Sequence, residues 1–242
     1  MNGVLTSVTA TFSGLLDGTI ALSLNALKLV FDLVKSTVSL GMTALSTVVS
    51  TIAGLTGSLL SAVGTLVTSL FTGLFSLLSN TLSFIANLVL SGISLTSDIV
   101  QLLLDTITSV AQLLTTLAGQ LVNIVLGLVK AGGSIALGIA KTLLNVLFGA
   151  VKVLVDLLKT VTDALADVGS TLSDAAKSVL GALQSALNGV LGSIKSLLTG
   201  LLTTVNGLLK GAASAEQAML KDIIGLLNSI IAAIPSSVTI TV

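Results

Sequence analysis

Cysteine, histidine, arginine, tryptophan and tyrosine are absent from the 242-residue chain, and proline occurs once, at Pro235. Without His and Cys there is no Ser-His-Asp or Cys-His arrangement and no imidazole or thiolate metal site. Without Cys, no disulfide can staple the fold, and the redox compartment leaves no mark. With no Pro before 235, no pyrrolidine ring interrupts a helix. Charge is scarce too: 8% of residues are charged, against about 25% in an ordinary soluble domain. Ten Lys and ten acids cancel, which removes both the basic footprint that nucleic acid requires and the repulsion that keeps proteins apart. From Ser36 to Ser97 no charged residue occurs at all. As one helix, that run would reach about three times the thickness of a bilayer's hydrocarbon core. The N-terminus carries Asp17 and no Lys before Lys28, so it lacks the basic start of a secretory signal.

What is present is apolar and periodic. Hydrophobic residues make up 53% of the chain, and mean hydropathy is +1.14. Steps of eleven give an apolar column through Leu55, Leu66, Leu77 and Leu88, which resumes later through Leu187, Leu198 and Leu209. Six residues on, a second column reads Ser39, Ser50, Ser61, Thr72, Ser83 and Ser94. Eleven residues make three turns at about 3.67 residues per turn, so each column keeps to one side of a helix. In a strand, where side chains alternate, an odd step would swap faces at every repeat. The pattern therefore predicts an all-α protein. Because inserted loops would scramble the register, it further predicts one very long amphipathic hendecad helix over residues 1–234, with 235–242 as a short extended tail. Gly132 and Gly133 are the best hinge, and a turn at 130–134 would make the helix a hairpin of two.

Local propensity does not hold such a helix, since each of the 23 Gly costs up to about 1 kcal/mol relative to Ala in a helix interior. Burial must, and a single extended helix with that stripe exposed to water is excluded. The expectation is a multi-chain assembly in which the leucine columns are the assembly face and the Ser/Thr columns, made of small residues, allow close contact.

The period is similar to the eleven-residue repeats of apolipoproteins, perilipins and synucleins. That resemblance implies coating of lipid surfaces. Those families flank the apolar face with charges, and the stretch between Lys35 and Asp98 has none.

Motifs for chemistry are few. Gly132-Gly133-Ser134 lacks the Gly-Lys-Ser/Thr ending of a phosphate loop. Asp163 and Asp167 lie one turn apart and read as an exposed acidic patch, and Glu216, the only Glu, has no partner suggesting catalysis. Asp156, Lys159 and Asp163 stand at spacings that allow ion pairs along one helix. The six Phe read as packing. The expectation is a non-enzymatic structural protein that assembles with copies of itself into a fibre, tube or sheet. It has no catalytic residue, metal or cofactor other than bound lipid, and no nucleic-acid partner. Lipid or another apolar interface is the further partner class. The alternatives are a peripheral lipid-coat or surfactant protein and a polytopic or pore-forming membrane protein. A cell-surface, extracellular or membrane-associated place is favoured over the cytosol.

Overall fold

A helix whose apolar residues recur every three to four positions must bury that face, and this chain does so by folding back on itself. The computed structural model describes residues 2–16, 18, 22–52, 54–168 and 171–236. They form seven helices: α1 (Asn2–Leu16), α2 (Leu24–Ile52), α3 (Gly57–Leu90), α4 (Ser97–Ala131), α5 (Ser134–Val168), α6 (Asp174–Leu209) and α7 (Ser214–Ala233). The chain is thus all-α, and the continuous helix expected over 1–234 is corrected to a bundle. The extended tail expected at 235–242 falls, from 237 onward, outside the described residues.

Four of the six breaks between these helices have a local cause. Ser23, Thr96 and Ser173 stand just before α2, α4 and α6, and their hydroxyls accept hydrogen bonds from the N–H groups of Ala26, Ile99 and Ala176. These caps satisfy donors that a helix start leaves unpaired. Between α4 and α5 the chain turns on Gly132 and Gly133, with φ of 70° and 80°. In that left-handed region a Cβ would meet backbone, so two consecutive glycines are what lets a two-residue connection form.

The eleven-residue columns run through these turns for a reason visible in the element spacing. Gly57 to Ser134 and Ser97 to Asp174, the starts of α3 and α5 and of α4 and α6, are both steps of 77, which is seven elevens. The α3–α4 and α5–α6 hairpins are therefore equivalent units. Leu60, Leu77, Leu88, Leu103, Leu114 and Leu121 correspond to Leu137, Leu154, Leu165, Leu180, Leu191 and Leu198, and all twelve are buried. Even the caps correspond, Thr96 to Ser173. Counting in elevens carries a column from one hairpin into the next without registering the turn.

α3, α4, α5 and α6 all touch one another and form the nucleus. α1 and α2 pack on the α3 side, and α7 packs on α5 and α6. Phe12 of α1 stacks on Phe84 of α3 at 4.5 Å, and Phe31 of α2 meets the same ring edge-on at 6.5 Å. One α3 aromatic thereby anchors both N-terminal helices. At Gly64 an added Cβ would lie 2.8 Å from Ile139 Cδ1, so the missing side chain allows the approach of α3 and α5.

The leucine column divides according to this packing. Leu77, Leu88, Leu187 and Leu198 are buried in the one core, Leu55 lies half-buried in the turn after α2, Leu209 is half-buried at the end of α6, and Leu66 is 49% exposed. A face expected to bind other chains is used mainly within one chain. Complete burial of each leucine stabilises the fold by about 1.5–3 kcal/mol. Two substitutions test this division. Leu187→Ala, at a fully buried site, should lower unfolding free energy by about 2–5 kcal/mol in urea titrations, whereas Leu66→Ala, at a half-exposed one, should lower it by about 1 kcal/mol or less.

Candidate functional site

The small-residue faces cover much of the outside. Ser39, Ser50, Ser61 and Thr72 are exposed on α2 and α3, Ser83 is half-buried, and Ser94 is exposed in the α3–α4 connection. Many hydroxyls on these faces do not wait for water. Thr43, Thr47, Thr65 and Thr72 donate to the carbonyls of Ser39, Thr43, Ser61 and Thr68, four residues back. The same bond recurs at Thr108, Thr116, Thr142, Thr160, Thr199 and Thr203. Each such bond satisfies a donor inside its own helix.

A half-open pocket lies where the C-terminal ends of α2 and α4 meet the N-terminal ends of α3 and α5. It is a cavity of about 770 Å³, in the size range of small-molecule sites, roughly 300–1,000 Å³. Its origin is in the sequence. Gly57, Gly127, Ala131, Gly132 and Gly133 bring short side chains to one level of the bundle, and the turns cannot fill the gap they leave. Leu45, Val49, Ile52, Leu60, Ile124 and Leu128 form its apolar wall, and Gln120, Asn123 and Ser46 add polar groups. No Lys, Asp or Glu lines it. Gln120 Oε1 is buried out of contact with that space and has no hydrogen-bond partner, a condition that costs about 1–3 kcal/mol.

Gly132 and Gly133 form part of this wall, and their turn is clamped from α7. The Gly133 N–H donates to Glu216 Oε1 at 2.7 Å. Further along, Lys141 Nζ donates to Asp222 Oδ2 at 2.8 Å, and Lys195 Nζ of α6 donates to the Ile234 carbonyl at 3.3 Å. Sequence spacing could not reveal these ties, because the partners lie far apart in the chain and meet only after folding. Asp156, Lys159 and Asp163, which do have helical spacing, stay exposed, and the ion pair among the described residues is Lys141–Asp222. No group of three or more acidic residues able to hold a metal ion occurs among the described residues.

Comparison with protein-family models, with curated proteins and with solved structures finds no match to this chain.

The clamps on α7 make a separable prediction. Lys141 and Asp222 are 45% and 60% exposed, so their pair contributes about 0–1 kcal/mol, and the Glu216 bond to Gly133 about as much. The double variant Glu216→Gln/Asp222→Asn should therefore speed hydrogen exchange in α7 by roughly three- to tenfold while leaving α3–α6 unchanged. Equal acceleration in all helices, read by mass spectrometry, would show that α7 does not open by itself.

Proposed function

We propose that this chain is a non-catalytic, surface-active helical bundle that stores its apolar hendecad faces inside and opens them onto a lipid or other apolar interface. The observation that carries this reading is the way the core is built. Among the described residues every fully buried large side chain belongs to an amphipathic helix, the helices follow one another after short connections, and the cysteine-free chain has no disulfide to cross-link them. Opening the turns would exchange helix-on-helix burial for burial against lipid without breaking a helix. The outer faces suit that exchange. Hydroxyls that already bond their own helix lose less hydration when another surface covers them.

The α2 helix favours a second reading, side-by-side assembly into a fibre, tube or sheet. Leu29, Leu33 and Leu40 lie on one face of it and are 71%, 39% and 71% exposed. Zero net charge gives copies no reason to repel. A membrane-spanning arrangement draws on length, since α2 to α6 are long and apolar enough to cross a bilayer. Against it, the exposed side of α4 carries Asp98, Gln101, Asp105, Gln112, Asn123 and Lys130, which lipid would not accept.

Purified protein should lower surface tension and float with phosphatidylcholine liposomes. A Lys141→Cys/Asp222→Cys variant in this otherwise cysteine-free chain can be closed with a reducible bis-maleimide, which should slow both processes at least tenfold until the linker is reduced. Crosslinked protein that adsorbs as fast as free protein would refute opening at α7, and ordered filaments formed without lipid would favour assembly.

A further inference from the structure

We infer that the α2–α3 side of the bundle is an interface for a second copy of this chain, which meets it through the same face and closes a two-fold pair. This pairing rests on the assembly reading drawn from α2 and ends it at two copies. Extended contacts join each helix to those one or two along the chain, with α3–α6 as the longer exception, so the hairpins stack in sequence as a short solenoid. The step of 77 that relates α3–α4 to α5–α6 also carries α2 onto α4, since Gly57 and Ser134 begin the next helix in each case. Val30, Leu45 and Ile52 of α2 are buried like Ile107, Val122 and Val129 of α4.

The opposite face breaks the correspondence. Leu29, Leu33 and Leu40 are 71%, 39% and 71% exposed, whereas Thr106, Val110 and Leu117 of α4 and Leu183, Leu187 and Ile194 of α6 are buried. α4 stacks on α2 and α6 on α4, but among the described residues no counterpart stacks on α2. Leu59 and Leu66 of α3 are likewise exposed where Ala136 and Leu143 of α5 are buried. Five of the eight large apolar side chains exposed among the described residues thus lie on one side of the stack, a clustering that marks an interface. Stacking within the chain covers the equivalent surface twice, which defines the kind of partner that fits. The α6–α7 side is not that partner, because polar residues replace apolar ones there. Leu45 and Val122 give way to Thr199, Ile52 and Val129 to Asn206, Val67 and Leu144 to Lys221, and Leu74 and Val151 to Asn228, all four exposed. Head-to-tail growth is thereby capped. The surface that complements the open face is the same face on another copy, an isologous contact. Lys28, Asp32 and Lys35 border it with both signs, so an antiparallel approach of two α2 helices can set Asp32 of each against a lysine of the other.

Sedimentation velocity on the purified chain should show a species of twice the 24.1 kDa chain mass. Leu29→Asp/Leu40→Asp should weaken the pair at least about hundredfold and leave the hydrogen exchange of α3–α6 unchanged, since both side chains are largely exposed in the single chain. Leu208→Asp, at an exposed position of α6, should leave pairing intact. Ser36→Cys, exposed between Leu33 and Leu40 in a chain without cysteine, should crosslink to its own copy with a short bis-maleimide, and Asn228→Cys should not. Filaments in which Ser36→Cys chains crosslink to Asn228→Cys chains would overturn the closed pair and keep assembly. A monomer at every concentration up to about 1 mM would overturn both, and would assign the face to lipid if Leu29→Asp/Leu40→Asp also abolished liposome flotation.

Discussion

Helix-on-helix burial of aliphatic side chains is the interaction on which everything else in this molecule depends. The helices are rich in Val, Thr, Ser and Gly, which are mediocre or poor helix formers, so few would persist alone in water. There is no disulfide, one ion pair among the described residues, and no aromatic larger than Phe. What remains is a core in which Leu27, Leu74, Leu82, Leu103, Leu114 and Leu117 are fully buried, fed by helices that all contribute to one cluster. Propensity follows burial here: residues are helical because the neighbouring helices give their apolar sides somewhere to go.

That dependence explains the buried glycines Gly41 and Gly64 and the way threonines are accommodated in the helices. A bundle held only by dispersion and burial gains from close approach, and small residues at Gly41 and Gly64 allow it. A Cβ at Gly41 would lie 2.6 Å from Leu74 Cδ2. Thr, otherwise unfavourable in a helix, is accommodated by donating to the carbonyl four residues back, as Thr81 does to Leu77 inside the core at 2.8 Å. The result is a surface with few charges, on which many threonine donors are satisfied within their own helices.

How much of this was legible in the sequence varies with the range of the interaction. Period and polarity are local, so helix was readable, and Leu77, Leu88, Leu187 and Leu198 stood out as residues needing burial. The partner that buries them is non-local, and these four, expected to meet other chains, are buried within one. Apart from the glycine pair at 132 and 133, turns escaped detection because two successive helical hairpins each occupy seven elevens, so the columns stay in phase across them. Leu66 and Leu77 share a column yet differ in exposure, since the stripe rotates around α3 as different neighbours take it up. The cavity was invisible for the same reason: Gly57, Gly127 and Gly133 are ordinary glycines until folding sets them at one level.

The end helices show where such a core is weakest. α3 to α6 bury one another on several sides, but α7 meets only α5 and α6 in any extended contact and offers a shorter apolar face, Leu220, Ile223, Leu227, Ile230 and Ile234. Its removal would leave the α3–α6 nucleus intact and expose a strip of α5 and α6. The polar ties to Gly133, Lys141 and Lys195 lie near the surface, where water competes for each partner, so they set the register of α7 more than its affinity. In the proposed opening, a helix positioned by solvated ties and held by one modest apolar strip is one for which an external apolar surface would compete before it reached the doubly covered helices of the nucleus.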